Sequence, residues 1–303
     1  MSSSPQQTPL IVALIQMRMD DDPQRNLQAA TERADEAAKR GATLICLPEL
    51  FRSRYFCQAE DPLNFELAET IPGPSTDALQ RVAQAHRVTI LAPLFEKRSK
   101  GIYHNSVVVI GQTGQLIGVY RKMHIPDDPG FYEKFYFAPG DLGFKVFETA
   151  VGRVSPLICW DQWFPEAARI AALRDADILV YPTAIGWLPS DKTAEGPKQR
   201  DAWKTIQRAH AIANGVFVLS VNRVGFEQPY SAGPGIEFWG SSFVCDPFGE
   251  IINEASMEAE EILFATIDLN RIERTRRSWP FLRDRRIDDY QDLLRRYGDK
   301  TWN

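Results

Sequence analysis

The fold of this chain is decided by three consecutive stretches near its start, LIVALIQ (residues 10–16), QRNLQAATERADEAAK (residues 24–39) and TLICL (residues 43–47). The first and third are short, apolar and rich in aliphatic residues, as is typical of buried strands. In the second, alanine and leucine recur at the spacing of helical turns, which predicts an amphipathic helix. A strand, a helix and a strand in this order indicate an α/β fold.

The same alternation continues towards the end of the chain. Further helices are predicted at residues 75–86, 165–173 and 197–213, and further strands at residues 88–94, 104–110, 116–120, 153–158, 177–181, 216–221, 242–246, 250–254 and 262–268. Short glycine-containing turns predict two β-hairpins, 104–110 with 116–120 and 242–246 with 250–254. Hairpins combined with β-α units imply sheets that are partly antiparallel.

The composition is that of a globular protein. With 303 residues and 44% hydrophobic content, the chain can bury a full core as one large domain or two smaller ones. The net charge of -5 provides no basic field for nucleic acid or an anionic membrane surface, so neither is expected as a partner. No apolar run has the length of a membrane span. Residues 1–8 lack the pattern of a secretory signal and are expected to be a flexible N-terminus of a cytoplasmic protein.

The C-terminal segment combines arginines with aromatic residues. Residues 271–297 contain the run RDRR (residues 283–286) close to Trp279, Phe281 and Leu282. Two interpretations are open: a solvated helical tail with local ion pairs, or an arm that packs on a second subunit. The arm, on the second interpretation, comprises residues 271–303.

Cysteine spacing argues against structural metal or disulfide chemistry. The cysteines are Cys46, Cys57, Cys159 and Cys245. None forms a C-x-x-C pair or has a histidine at metal-ligand spacing, so neither a disulfide framework nor a metal site is expected. Cys46 and Cys245 lie inside apolar runs and are interpreted as small buried hydrophobic residues.

Cys159 has a different setting. The stretch VSPLICWD (residues 154–161) places it at the end of a predicted strand, and the next helix is predicted to begin at Pro165. The thiol is then expected at the rim of the sheet near a helix N-terminus, whose dipole and free amides favour the thiolate. From placement alone, a buried structural cysteine is an equally good interpretation.

Two other predicted strands end in charged residues. Glu49 closes the stretch ICLPE (residues 45–49), and Lys122 lies in GVYRKMH (residues 118–124). A carboxylate beside Cys159 can accept its proton and return it to a leaving amine, and an ammonium group can stabilise an oxyanion. Taken singly, each residue fits an ordinary surface charge better. The histidines form no Cys/His nucleophile motif, and no G-x-S-x-G elbow is present.

Three motifs occur in a characteristic order: PE (residues 48–49), RKMH (residues 121–124) and ICWD (residues 158–161). Together they resemble the motifs of the nitrilase superfamily of carbon-nitrogen hydrolases, and the resemblance extends over residues 9–290. It implies a four-layer α-β-β-α sandwich with mixed sheets, associated as a homodimer or a larger homo-oligomer. It implies no metal and no organic cofactor.

The resemblance also implies catalytic roles. They are Glu49 as general base, Lys122 as oxyanion stabiliser and Cys159 as nucleophile. A second glutamate with a positioning role is carried over to Glu133, within YEKFYF (residues 132–137). In the implied mechanism the sulfur attacks a carbonyl, an amine or ammonia leaves, and water activated by the base cleaves the thioester.

Longer strings narrow the resemblance. HIPDDPGFYE (residues 124–133), CWDQWFPEAAR (residues 159–169) and YPTAIG (residues 181–186) are similar to N-carbamoylputrescine amidohydrolases. These enzymes convert a small ureido compound to putrescine, ammonia and carbon dioxide, a step in polyamine synthesis from arginine through agmatine. The expected substrate contacts are Tyr55, His124, Asp128, Trp160, Asp161, Thr183 and Ala184.

The residues after Cys159 suit a substrate with a cationic tail. Trp160, Asp161 and Trp163 precede the first basic residue, Arg169. Aromatic faces and carboxylates attract an ammonium group, whereas arginine repels it. The default interpretation of the tryptophans is core packing.

One position departs from the putrescine-specific pattern. Those relatives carry an acidic residue shortly after Ala-Ile-Gly, but here Gly186 is followed by WLP (residues 187–189). Asp127, Asp128 or Glu237 are the candidates to replace that carboxylate.

Other activities remain as alternatives. A related amidase acting on an N-carbamoyl amino acid or an ω-amide needs a cation for the substrate carboxylate, and Arg52 and Arg54 are the candidates. A nitrilase fits less well, because nitrilases carry Cys-Trp-Glu where this chain has Cys159-Trp160-Asp161. A non-catalytic scaffold or a glutaminase domain that feeds a synthetase is the interpretation from another class.

Overall fold

The computed structural model describes residues 10–230 and 233–298. The strands are β1 (Leu10–Gln16), β2 (Leu44–Cys46), β3 (Thr89–Ser99), β4 (Ile102–Ile110), β5 (Leu116–Arg121), β6 (Phe147–Thr149), β7 (Gly152–Pro156), β8 (Ile178–Thr183), β9 (Gly186–Trp187), β10 (Phe217–Asn222), β11 (Val224–Glu227), β12 (Ile236–Trp239), β13 (Phe243–Cys245), β14 (Ile251–Glu254) and β15 (Glu261–Ile267). The helices are α1 (Pro23–Lys39), α2 (Pro74–His86), α3 (Glu133–Tyr136), α4 (Pro165–Leu173), α5 (Pro189–Ala194), α6 (Gly196–Asn214) and α7 (Asn270–Ser278). The predicted flexible N-terminus, residues 1–8, lies outside the described residues.

Two six-stranded sheets form the centre of the molecule, with strand orders β15-β1-β2-β3-β4-β5 and β14-β13-β10-β8-β7-β6. The strands β1, β2 and β3 are parallel in the first sheet, and β7, β8 and β10 are parallel in the second. Both predicted hairpins are present as the antiparallel pairs β4 with β5 and β13 with β14. The prediction of mixed sheets is therefore confirmed.

Side-chain alternation in the strands creates the layers. In β1, Ala13 and Ile15 pack with α1 and α2, whereas Val12 and Leu14 face the second sheet. A strand presents successive side chains to opposite faces, so one short apolar run fills two interfaces. On the far side, Ala168 of α4 and Trp203 of α6 cover the second sheet. The order is helices, sheet, sheet, helices, which confirms the predicted α-β-β-α sandwich.

A third sheet of three strands, in the order β11-β12-β9, was not predicted. Its strands have two to four residues, too few for a periodic pattern to be recognised. The rings of Trp187 in β9 and Trp239 in β12 lie 5.1 Å apart between their centroids. This small sheet forms one wall of the cavity described below.

The C-terminal segment is only partly attached to the sandwich. In α7, Ile272 and Thr275 are buried, and Arg276 Nε donates to the carbonyl oxygen of Asn214 at 3.1 Å. Beyond α7 the chain forms short 3₁₀ turns at Ile287–Asp289 and Gln291–Leu294, with exposed apolar side chains. Of the solvated helical tail with local ion pairs, the exposure and the ion pairs are present, as between Arg286 and Asp288, but only α7 is an α-helix in the described part of the segment. Within residues 10–230 and 233–298, no helix is both long and apolar enough to cross a membrane.

Candidate active site

Three of the four predicted catalytic residues follow the ends of strands from the two large sheets. Glu49 comes after β2 and Lys122 directly after β5, while Cys159 follows β7 and Glu133 begins α3. All four side chains are buried. The strand ends of the two sheets thus bring together residues that are far apart in sequence.

Lys122 lies between two carboxylates. Its Nζ donates to Glu49 Oε1 at 2.8 Å and to Glu133 Oε2 at 2.7 Å. The remaining oxygen of Glu133 accepts from the Tyr55 hydroxyl at 2.7 Å, and Asn105 Nδ2 donates to Glu49 Oε1 at 2.7 Å. Among the described residues, Glu49 Oε2 has no hydrogen-bond partner although it is buried. This oxygen is the one that is free to take and return a proton.

The charges of the three groups depend on one another. Burial acts to lower the pKa of Lys122, but the negative charges of Glu133 and Glu49 outweigh it and hold this pKa well above its usual value. Lys122 is therefore a permanent cation. Burial, assisted by the charge of Glu49, raises the pKa of Glu133 to about 7 in spite of the adjacent Lys122 ammonium.

The titration of Glu133 predicts the acid side of the activity profile. We expect kcat/KM to fall about tenfold per pH unit below about pH 7, because protonated Glu133 no longer accepts from both Lys122 and Tyr55. The measurement is the initial rate of ammonia release between pH 5 and pH 9. A Glu133→Gln variant, though much slower, should lose this dependence. A wild-type profile that stays flat down to about pH 5 contradicts the assignment.

Cys159 occupies a strained turn at the beginning of a 3₁₀ helix, Cys159–Trp163. Its φ of 40° is unusual for a residue with a side chain. Burial, with the charge of Glu49, raises the pKa of the thiol well above its usual value, and Lys122 opposes this only in part. The predicted stabilisation of the thiolate by a helix dipole is therefore wrong, because α4 begins only at Pro165 and desolvation dominates. The sulfur needs a base at the moment it reacts.

Asp161 holds the turn that carries Cys159. Its fully buried carboxylate accepts from the Ile158 amide at 2.9 Å and from the Tyr120 hydroxyl at 2.6 Å. It also accepts from the His124 amide at 3.1 Å and contacts His124 Nδ1 at 2.7 Å. The His124 ring in turn stacks on Phe164, with 3.7 Å between centroids. Both Asp161 and His124 were predicted to contact substrate, but these partners place them behind the cavity as supports.

The sulfur of Cys159 opens onto a cavity of about 510 Å³. Of the predicted substrate contacts, Asp128, Trp160 and Ala184 line this cavity. Tyr55 and Thr183 do not, because both are fully buried and bonded elsewhere. The Tyr55 hydroxyl is directed to Glu133, and Thr183 Oγ1 donates to the Tyr181 carbonyl at 3.0 Å. The prediction that these two residues touch substrate is corrected accordingly.

The cavity wall is largely apolar, and the charged residues in its described lining, Glu133 among them, are acidic. Asp128 and Asp191 both contribute to its wall, and no arginine, lysine or histidine is among the described residues that line it. Asp191, which was not among the predicted site residues, thus provides an acidic residue on the cavity wall a short distance after Gly186 in the chain. Asp191 was missed because only the residues directly after Gly186 were considered. A proline followed two residues later by an acid is, however, a helix-start signal, and Pro189 with Asp191 has this pattern.

The other charged candidates are committed to partners outside the cavity. Arg52 lies 3.3 Å from Glu69, and Arg54 forms an ion pair with Asp21. Glu237 lies 2.7 Å from Lys192. A substrate carboxylate would therefore find no cation among the described residues of the cavity wall, and Glu237 is paired with Lys192 away from that wall.

The chain is similar to known carbon-nitrogen hydrolases over nearly its whole length. The carbon-nitrogen hydrolase family model matches residues 11–277. An N-carbamoylputrescine amidase of Arabidopsis thaliana is 43% identical, with 96% of this chain and 97% of the relative covered. A citrullinase of Francisella tularensis is 40% identical, with 94% and 98% covered. A solved carbon-nitrogen hydrolase of Helicobacter pylori superposes with a TM-score of 0.92 at 49% identity, covering 96% of this chain and 100% of that one.

Proposed function

Because this chain belongs to the carbon-nitrogen hydrolase family, we propose that it hydrolyses N-carbamoylputrescine to putrescine, ammonia and carbon dioxide. The observation that carries the proposal is the cavity beside the Cys159 thiol, whose described lining includes Asp128 and Asp191 as well as Glu133 and no arginine, lysine or histidine. With its ureido group at the Cys159 sulfur, the substrate would place its ammonium group near Asp128 and Asp191. The relatives named N-carbamoylputrescine amidase support the same substrate.

In the first half of the reaction, Glu49 Oε2 takes the thiol proton while Cys159 Sγ attacks the ureido carbon. Lys122 has three N–H donors, of which two bind the glutamates, so the third is available for the oxyanion. The amide N–H of Trp160 is proposed as the second oxyanion donor. Glu49 then gives its proton to the leaving nitrogen as the C–N bond breaks.

In the second half, Glu49 removes a proton from water, which attacks the thioester-like carbonyl carbon. The C–S bond breaks, and the proton returns to the sulfur of Cys159. The carbamic acid that is released decomposes to carbon dioxide and the remaining amine. Glu133 keeps Lys122 in place throughout, since it binds Nζ at 2.7 Å.

Replacing the acidic residues of the cavity should weaken binding of the cationic substrate. We expect Asp191→Asn and Asp128→Asn each to raise KM for N-carbamoylputrescine roughly tenfold, with a smaller change in kcat, because each removes attraction for the distal ammonium. The matched substrate is N-pentylurea, in which a methyl group replaces the ammonium. Its KM should be unchanged in both variants. Equal increases for both substrates would show that the carboxylates act on the shape of the cavity and not through charge.

A second ureido substrate separates this function from its nearest rival. Citrulline carries an α-carboxylate in addition to its amine, and the described cavity wall offers no cation to that carboxylate. We propose that N-carbamoylputrescine is preferred over citrulline and over N-carbamoyl-β-alanine. Ammonia release from the three compounds in parallel tests this. Preference for either anionic compound refutes the proposed substrate, and no turnover of any ureido compound or amide refutes the proposed enzyme.

We also propose that residues 9–290 act as one catalytic domain and that the arm, residues 271–303, packs on a second copy to give a homodimer or larger homo-oligomer. Leu293 and Leu294 are 66% and 91% exposed, which favours a covered face. Sedimentation should show that Leu293→Asp with Leu294→Asp shifts the protein towards monomer. Leu63→Asp, at a similarly exposed leucine elsewhere, should not. A wild-type monomer at micromolar concentration contradicts the proposal.

A cytoplasmic location completes the proposal. Cys46, Cys57, Cys159 and Cys245 are all free thiols in the structure. A reducing compartment keeps the nucleophile in the thiol form that the mechanism requires.

A further inference from the structure

A second buried ion pair lies behind the catalytic residues, between β10 and the small third sheet. Arg223 and Glu227 are both almost completely inaccessible to solvent, and Arg223 Nη1 lies 2.9 Å from each carboxylate oxygen. Removing two charges from water is unfavourable unless both are also held by further hydrogen bonds. The further hydrogen-bond partners of Arg223 and Glu227 show which parts of the backbone this ion pair fixes.

The guanidinium of Arg223 binds the backbone that carries the general base. Nη2 donates to the carbonyl oxygens of Glu49 at 2.7 Å and Leu50 at 3.0 Å, and Nη1 donates to that of Ser53 at 3.2 Å. Leu50 has a φ of 50°, a conformation that residues with side chains rarely adopt. The strained turn points two successive carbonyl oxygens at one cation. Arg223 therefore stabilises the path of the chain directly at Glu49.

Glu227 reaches the second catalytic carboxylate through Tyr55. Its Oε2 accepts from the Tyr55 amide at 2.6 Å, and the Tyr55 hydroxyl donates to Glu133 at 2.7 Å. Tyr55 is fully buried, so its ring has no freedom to follow a displaced backbone. One ion pair is thus connected to both glutamates that bind Lys122.

We propose that Arg223 and Glu227 are positioning residues that set the distance between Glu49 and Cys159 by fixing the backbone at residues 49–55. Neither residue lines the cavity, so their effect on the reaction passes through Glu49 and Tyr55. The inference rests on the proposed hydrolase chemistry, in which Glu49 Oε2 must reach the thiol. Displacement of a catalytic group by about 1 Å is enough to slow a reaction roughly hundredfold.

The test replaces the pair without leaving one charge buried alone. In the double variant Arg223→Met with Glu227→Leu, we expect kcat on N-carbamoylputrescine to fall roughly tenfold to hundredfold while KM changes less than about threefold. The rate of Cys159 alkylation by iodoacetamide, followed by mass spectrometry of the peptide, should fall in parallel. Arg223→Lys keeps the charge but not the fork of donors and should be intermediate. If the double variant does not fold, Arg223→Lys alone tests the positioning role by the same two measurements.

The control is Asp246→Asn, a fully buried carboxylate that binds Arg271 and the amides of Phe248 and Glu250. It should lower thermal stability and leave kcat and the alkylation rate at wild-type values. All rates are measured at a temperature where circular dichroism shows each variant to be folded. If the pair variants lose stability but keep wild-type kcat and alkylation, the positioning role is refuted. If the wild type alkylates normally but does not turn over N-carbamoylputrescine, the substrate proposal fails, and the alkylation rates still decide the role of the pair.

Discussion

Replacing Cys159 with alanine is expected to lower kcat on N-carbamoylputrescine by roughly 10⁴-fold or more, which places the activity below detection in most ammonia assays. The expectation follows from the site, since the sulfur lies on the cavity wall and beside the glutamates that flank Lys122. Removing it leaves no thiol, hydroxyl or amine nucleophile among the described residues of that wall. KM, or ligand affinity measured by calorimetry, should change little, because the rest of the cavity is untouched.

The control for this variant is Cys245→Ala. Cys245 is also a free and fully buried cysteine, but it packs in the hydrophobic core. We expect this variant to lose some stability and to keep full activity. Measurable turnover by folded Cys159→Ala, above about one per cent of wild type, would exclude a covalent mechanism through this thiol. Equal inactivity of both variants would indicate loss of fold and not of the nucleophile.

The second large effect is expected for Glu49→Gln, which should lower kcat by roughly 10²-fold to 10⁴-fold. The amide keeps the acceptor that binds Lys122 and Asn105 through Oε1. The unpartnered Oε2, however, becomes an NH₂ group that cannot accept a proton. Because burial holds the pKa of the Cys159 thiol well above its usual value, the sulfur then has no route to the reactive form. Stopped-flow or discontinuous ammonia assays measure the change.

Alkylation of Cys159 separates this role from a loss of structure. The Glu49→Gln variant should react with iodoacetamide far more slowly than wild type at neutral pH. The control is Glu69→Gln, at a buried carboxylate that binds Arg52 and the amide of Ser75 outside the catalytic cluster. It should alkylate and turn over within a fewfold of wild type. A Glu49→Gln enzyme with wild-type alkylation but slow turnover would assign Glu49 to the hydrolysis of the intermediate alone.

These two variants also distinguish an enzyme from a non-catalytic relative of the same fold. The buried cluster contains two carboxylates, one ammonium group and a thiol with a raised pKa. Burying such charges is unfavourable unless they are paired and hydrogen-bonded, and clusters of groups with shifted pKa values are typical of functional sites. Stability should therefore not fall in Cys159→Ala, whereas Lys122 variants leave two buried carboxylates unpaired.

Much of the fold was determined by the sequence because it depends on local patterns. The run LIVALIQ (residues 10–16) has strand character whatever surrounds it, and residues 165–173 form a helix in the structure as the sequence predicts. The predicted catalytic set could also be proposed from the sequence, since Glu49, Lys122 and Cys159 each follow a recognisable strand and the structure brings them into one buried cluster. Three motifs in fixed order identify a family even when their distances in space are unknown.

Only the tertiary structure decided which neighbours these residues have. Tyr55, Asp161 and Thr183 lie within a few residues of site motifs in the sequence. Long-range packing nevertheless buries all three behind the cavity wall. Asp191 lies on the cavity wall in a helix of six residues, which has a start signal in the sequence but is too short for a periodic pattern. Burial, assisted by the charge of Glu49, raises the pKa of the Cys159 thiol although Lys122 opposes this shift. Burial and charge pairing arise between segments that are distant in the chain, so no local sequence pattern encodes them. They determine which side chains face the cavity and which side chains hold those residues in place.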